Sequence, residues 1–253
     1  MATPLMTVGD DEPGRSGRVQ SVDRACLLLN ALAAEPMRPQ SALELARATG
    51  LNRTVAHRLL RTLAQNDLVA EAGGRYSIGS AAAVMSLAYV ERLGLRQAAL
   101  PYAVELHTSI DDSPWLVSLA IPATDCAILI DRFWKPQVPL ASLLDLGTRL
   151  SLPGSAIGRT FLAYGHGGTP ERDTDEALQR RLAAVREAGG VEWSADEIRP
   201  GLSAIAAAIR NRNGVPVGAV SISGPDLGPH LSYESELAQR VLGTAQSISR
   251  VLL

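Results

Sequence analysis

The chain has 253 residues, 46% of them hydrophobic and 20% charged, with a formal net charge of -2 at pH 7. That balance suits one large or two ordinary globular domains and argues against a chain disordered throughout. No run of 18 apolar residues occurs, so no membrane span is expected, and two cysteines, Cys26 and Cys126, fit packing roles in a reduced cytoplasm.

The start, MATPLMTVGDDEPGRSGR, carries acids where a signal peptide is basic and lacks an apolar core. Residues 1–19 are therefore expected to form a disordered, solvated tail, with Arg15 and Arg18 as a minor-groove arm in the second reading. A first helix follows in VDRACLLLNALAAE: Ser21 is the expected cap, Val22, Ala25, Leu28, Leu29 and Leu32 recur at helical spacing, and Pro36 and Pro39 stop it. Cys26 falls on its apolar side.

Residues 41–63, SALELARATGLNRTVAHRLLRTL, read as two short helices meeting at Thr49-Gly50-Leu51. Ser41 and Glu44 form a capping box for the first, Gly50 ends it in a left-handed conformation, and Asn52 caps the second. At roughly 100° per residue, Arg53, Thr54, His57, Arg58 and Arg61 fall within about 140° of arc, and Val55, Ala56, Leu59, Leu60 and Leu63 fill the other side. A solvated charged face is the plain reading of such a helix. A recognition helix needs the same division, because one face buries against neighbours while the other meets base edges and phosphates. Arginine suits both contacts, since its planar fork grips guanine or phosphate at two points.

The residues that follow favour the second reading. Asp67 to Glu71 and Arg75 to Gly79 flank Gly73-Gly74 and predict a β-hairpin, a wing with Arg75 placed to reach the DNA backbone. Residues 20–79 hold seven arginines against five acids, a net of +2, so the remainder of the chain is acidic. The N-terminal unit is thus expected to be a winged helix-turn-helix over 20–79, with Ser41, Asn52, Arg53, Thr54, His57, Arg58, Arg61 and Arg75 as its DNA-binding residues.

Residues 80–106 are helical in pattern, with Val84, Leu87, Ala88, Glu91 and Leu95 in one stripe; Gly94 and Pro101 are expected to break this stretch into a linker helix, 80–98, and the first helix of a second domain. Trp115–Ile121, Ala127–Asp131 and Val138–Leu143 read as strands. SAIGRTFLAYG and ERDTDEALQRRLAAVREAG read as helices. Leu202 to Arg210 and Val215 to Ser223 flank Asn211-Arg212-Asn213-Gly214, a strong hairpin signal, and YESELAQRVLGTAQSISRVLL is an amphipathic closing helix. Hairpin strands flanked by helices predict an α+β domain over 99–253 with an antiparallel sheet.

An enzyme is the competing class. Gly154-Ser155-Ala156-Ile157-Gly158 lacks the residue that a nucleophile elbow places between its first glycine and the serine. His57, His107, His166 and His230 have no acid at an orienting spacing, and no His or Cys pair stands at metal-ligand spacing. No catalytic residue, metal or cofactor is expected.

The order of these features resembles the IclR-type bacterial transcription regulators over nearly the whole chain. The resemblance rests on SVDRACLLLNALA, ELARATGLNRTVAHRLLRTLAQNDLV and GRYSIG in the first domain, and on LPGSAIGRTFLA, GGVEWSADEIRPGLSAIAAAI and GVPVGAVSISGP in the second. It implies a winged helix-turn-helix joined by a helix to a GAF-like effector-binding domain, in a homodimer or homotetramer on a palindromic operator. Paired recognition helices would lie about one helical turn apart. The family's effector contacts correspond to Ala156, Ile157, Ser194, Ala204, Ser221 and Ser223, where backbone N–H groups at a helix start and hydroxyls would hold a carboxylate. For Ser221 and Ser223, plain strand hydroxyls are the other reading.

Two departures bear on specificity. Arg53-Thr54-Val55-Ala56 stands where members commonly have a lysine-serine-threonine-valine run. Ser194 and Ala204 stand where an acid and a bulkier side chain are frequent, and with Trp115, Phe133, Trp134 and Leu143 as an apolar lining they point to an aromatic or larger effector. The expected function is a cytoplasmic, ligand-responsive transcription regulator; the alternative is a constitutive DNA-binding protein whose second domain serves only assembly.

Overall fold

The computed structural model describes residues 19–110, 113–136, 138, 143–167 and 176–252. The tail with Arg15 and Arg18 lies outside them. The chain divides into two compact units, Met1–Tyr89 and Val90–Leu253.

The first unit contains α1 (Gln20–Ala34), β1 (Gln40–Ser41), α2 (Ala42–Thr49), α3 (Arg53–Gln65), β2 (Val69–Ala72) and β3 (Arg75–Ile78). Its capping chemistry is the expected one. Ser41 Oγ accepts from Glu44 N–H while the Glu44 carboxylate accepts from Ser41 N–H; Gly50 ends α2 at φ 69°; Asn52 Oδ1 accepts from Thr54 N–H. Leu28, Leu32, Leu45, Ala56, Leu60 and Tyr76 close one core beneath the three helices and the wing. β3 pairs antiparallel with β2 across the Gly73-Gly74 turn and with β1 on its other edge. Two expectations for α1 fail. It starts at Gln20 after Val19, with no side-chain cap, so Ser21 lies inside the first turn, where Asp23 supplies the favourable charge. Cys26 is exposed, because the buried stripe of α1 runs through Leu28, Ala31 and Leu32 on another side.

The helical stretch after the wing is α4 (Ser80–Leu93), then Gly94 at φ 64°, then α5 (Leu95–Ser109). Gly94 breaks it as expected; Pro101 does not, and sits inside α5. A proline there forfeits about 3 kcal/mol. Burying Leu95 and Leu106 with Ala99 and Ala103 outweighs that, since a leucine alone contributes roughly 1.5 to 3 kcal/mol.

The second unit continues with β4 (Leu116–Pro122), β5 (Cys126–Phe133), β6 (Arg149–Ser151), α6 (Ala156–Leu162), α7 (Glu176–Glu187), β7 (Val191–Ala195), β8 (Ser203–Arg210), β9 (Pro216–Gly224) and α8 (Glu236–Val251). The strands form one antiparallel sheet in the order β6-β5-β4-β9-β8-β7. The β8–β9 hairpin turns on Gly214, φ 76°, with Asn211 Oδ1 accepting from the N–H groups of Asn213 and Val215. Sequence patterning missed the short β6 and β7. It also assigned a strand to Val138–Leu143, but Val138 is in a bend and Leu143 is in irregular chain, while 139–142 lie outside the described residues.

The sheet's two faces differ in side-chain size. Val117, Leu119, Ile121, Ile205, Ile209, Val220 and Ile222 meet α5 and α8 in the main core. Ala120, Ala204, Ala206 and Ala219 face α6.

A buried ion network ties α6 to the sheet edge. Arg159 on α6 and Glu192 on β7 have side chains 3% and 0% exposed, with Arg159 Nε 3.4 Å from Glu192 Oε2. Arg159 also donates to Glu197 (2.6 Å) and to the Trp193 carbonyl (2.9 Å). Arg181 on α7 reaches the same Glu192 carboxylate, at 3.1 to 3.3 Å, and its guanidinium lies 4.8 Å from the Trp193 ring centre. Glu192 Oε1 accepts from Trp193 N–H as well. Breaking a buried pair strands the surviving charge, so Glu192→Gln is expected to destabilise the second unit by about 3 to 5 kcal/mol in urea melts of the full chain. A loss under about 1 kcal/mol, the range of an exposed pair, would mean that these charges do not hold α6 in place.

Candidate functional site

Two surfaces, one in each unit, bring the sequence-selected residues together. On α3, Ala56, Leu60 and Leu63 are buried while Arg53, Thr54, His57, Arg58 and Arg61 are all exposed. Among the described residues, the side chains of Arg53, His57 and Arg58 form no hydrogen bond or ion pair, so their donors face outward uncommitted. Asn52 and Ser41 are spent on capping α3 and α2. Arg75 is committed too: its Nη1 donates to the Pro39 carbonyl at 2.9 Å and to Glu44 at 3.5 Å.

In the second unit the strand register sets out the other surface. Ser194, Ala204 and Ser223 stand side by side on β7, β8 and β9. One row along, Glu192, Ala206, Ser221, Ser118 and Arg132 cross five strands in succession. Ala156 and Ile157, at the start of α6, pack over this face against Ala204, Ala206 and Ala219. All six sequence-selected effector residues therefore meet on one side of the sheet. Ser118, Ser194, Ser221 and Ser223 are buried, at 3%, 2%, 2% and 8% exposure.

Sequence reading missed Ser118 and Arg132. Ser118 had a signal, as the single polar residue in the apolar run Trp115–Ile121; Arg132 had none, because its row depends on register. Arg132 donates to the Leu144 carbonyl, stands 3.8 Å from Asp145 Oδ1 and lies 5.2 Å from the Trp134 ring centre. The proposed aromatic lining is only partly right. Trp134 shares Arg132's side, but Trp115 and Phe133 have the opposite parity and pack in the core under α5 and α8. Trp115 donates to the Pro225 carbonyl and meets His230 edge-on at 5.4 Å.

The features that suggested enzyme chemistry are used structurally. Ser155 caps α6, its Oγ accepting from Gly158 N–H and donating to the Ser151 carbonyl. His166 Nε2 lies 2.7 Å from the Ala123 carbonyl. Burial lowers the pKa of His107, with Lys135 adding to the shift. Among the described residues no group of three His, Cys, Asp or Glu side chains could hold a metal ion, and no helix is long and apolar enough to cross a membrane.

The comparisons agree with this geometry. Residues 21–73 match the IclR helix-turn-helix domain, and residues 87–250 match the bacterial transcriptional regulator IclR C-terminal domain. The glycerol operon regulatory protein of Streptomyces coelicolor is 27% identical over 248 residues, 92% of this chain and 95% of the relative. The crystal structure of an IclR transcriptional regulator from Alicyclobacillus acidocaldarius superposes with a TM-score of 0.74 at 25% identity, covering 93% of this chain and 100% of that one. A Microbacterium hydrocarbonoxydans IclR homologue, solved in complex with 4-hydroxybenzoate, shares the fold at a TM-score of 0.73 and 22% identity, over 92% and 99% of the two chains. With its helix-turn-helix and its C-terminal domain both matched, the chain belongs to the IclR family of bacterial DNA-binding transcriptional regulators, whose members are not enzymes.

Proposed function

We propose that this regulator binds a palindromic operator as a symmetric homodimer or homotetramer, and that a small organic acid or aromatic metabolite, held on the serine-lined face of the second unit, modulates that binding. The observation that carries the effector half is the convergence of four serines, Ser118, Ser194, Ser221 and Ser223, on the α6 side of the sheet. Their hydroxyls are groups that a carboxylate or phenol could bond. α6 has seven residues and gives its N–H groups no strong dipole, so the serines carry the recognition. The bound 4-hydroxybenzoate of the Microbacterium homologue supports this ligand class. A row of hydroxyls on this alanine-rich face also favours an effector site over a second domain that serves assembly alone.

The DNA half rests on α3. Arg53, Thr54, His57, Arg58 and Arg61 would make the groove and phosphate contacts, positioned by the caps at Ser41 and Asn52. Effector and operator affinities are then linked by one coupling free energy, which acts equally in both directions.

Arg58→Ala is expected to weaken binding to the upstream intergenic DNA by about 1 to 3 kcal/mol, selectively if Arg58 reads a base and equally on all duplexes if it holds phosphate. Unchanged affinity in fluorescence anisotropy would remove Arg58 from the interface. For the effector, thermal melts of the wild-type chain against small acids and aromatics, 4-hydroxybenzoate included, should reveal one stabilising compound, worth about 2.7 kcal/mol at a hundred times its Kd. Ser221→Ala/Ser223→Ala should abolish that shift and leave DNA affinity intact; a full shift in the double variant would place the compound elsewhere.

A further inference from the structure

The first unit treats its exposed arginines in two ways. Those of α3 project from the recognition face without ion pairs among the described residues. Arg38 and Arg75, 59% and 53% exposed, converge instead on Glu44, at 2.8 and 3.5 Å. Arg38 also pairs with Glu35 at 3.0 Å, and Arg75 is anchored to the Pro39 carbonyl. Two carboxylates and two guanidiniums thus sum to zero charge where the first residue of β3 meets the start of α2.

Helix capping does not call for a charge at this position, and the favourable meeting of a first-turn carboxylate with the helix dipole needs no guanidinium beside it. A glutamine at residue 44 would serve the capping box as well as a glutamate does. Exposed ion pairs add little to stability. The Glu44 carboxyl is nevertheless held below its ordinary pKa, chiefly by the Ser41 N–H and then by the Ser41 hydroxyl, so it stays charged under physiological conditions. In a helix-turn-helix the helix before the recognition helix crosses the DNA backbone, which puts the start of α2 beside phosphates. Each guanidinium free to neutralise a phosphate strengthens binding to any duplex, whatever its sequence. What a regulator needs is the ratio of specific to non-specific affinity.

We propose that Glu44 is a specificity-determining residue: by holding Arg38 and Arg75 it withholds two cations from indiscriminate phosphate contact and leaves the choice of duplex to the free cations of α3. This rests on the reading that α3 is the DNA-contacting helix.

The test uses the full-length protein with two labelled duplexes, one from the intergenic DNA upstream of its own gene and one shuffled to the same composition, titrated across a salt series. Glu44→Gln should tighten binding to the shuffled duplex by about threefold to tenfold, steepen the salt slope by roughly 1 to 2, and reduce the preference for the upstream duplex. R38Q/R75Q/E44Q should lose that gain. An unchanged or shallower slope in Glu44→Gln, or a gain that survives loss of both arginines, overturns the proposal. If Glu44→Gln does not fold, guanidinium NMR of the wild-type protein decides: Arg38 and Arg75 should keep their signals on the shuffled duplex while Arg53 and Arg58 shift, and equal shifts in all four overturn it. Wild-type protein without preference for the upstream duplex would count against the regulator reading of that DNA, while the slope comparison on the shuffled duplex would still decide the role of Glu44.

Discussion

The second unit depends on a single carboxylate. Glu192 is fully buried between Arg159 and Arg181, and through them it joins β7, α6 and α7. The desolvation of these groups is large, and their mutual attraction, the second carboxylate of Glu197 and the bonds to Trp193 and to the Pro153 carbonyl offset it. Because Arg159 sits two residues after Ile157, whatever fixes its guanidinium also fixes the start of α6 over the small-residue face. The geometry of the candidate effector site is therefore set by a charge network at the β7 end of its own row of residues.

The first unit solves a different problem, presenting cations without burying them. Its core is apolar and modest, and its helix ends are fixed by short-range polar bonds: Ser41 with Glu44, Asn52 with Thr54, and Gly50 in the left-handed region. These local devices fix where α3 starts and hence which residues face outward. Arginines that project freely and arginines held by carboxylates lie close together in sequence, so the number of cations alone says little about how the surface meets DNA.

Local chemistry was the most legible part of the chain. The capping box, the Gly-Gly wing turn and the Asn-Gly hairpin are encoded within a few residues, and each formed where its sequence signal stands. Signals that depend on long-range packing were less readable. Pro101 looked like a helix breaker until the buried face of α5 outweighed it, and Cys26 lies off the stripe of Ala25, Leu28, Leu29 and Leu32 that the core does use. Strand parity misled too: Trp115 and Phe133 are aromatic and near the right elements, but the register turns them away from Ser118 and Ser221. The family motifs located Ser194, Ala204, Ser221 and Ser223; Ser118 stood out only as a lone hydroxyl in an apolar run, and Arg132 became visible only once β4 was seen between β5 and β9.

The unequal faces of the sheet have an evolutionary consequence. Branched and long side chains on one side build the main core, and alanines on the other let α6 pack close to the strands. Enlarging buried Ala204, Ala206 or Ala219 would overpack that seam at a cost of about 1 to 3 kcal/mol. Sequence drift on this face is therefore steered toward the serine positions, where a hydroxyl can be exchanged for a group of similar volume while the alanine seam holds the fold constant.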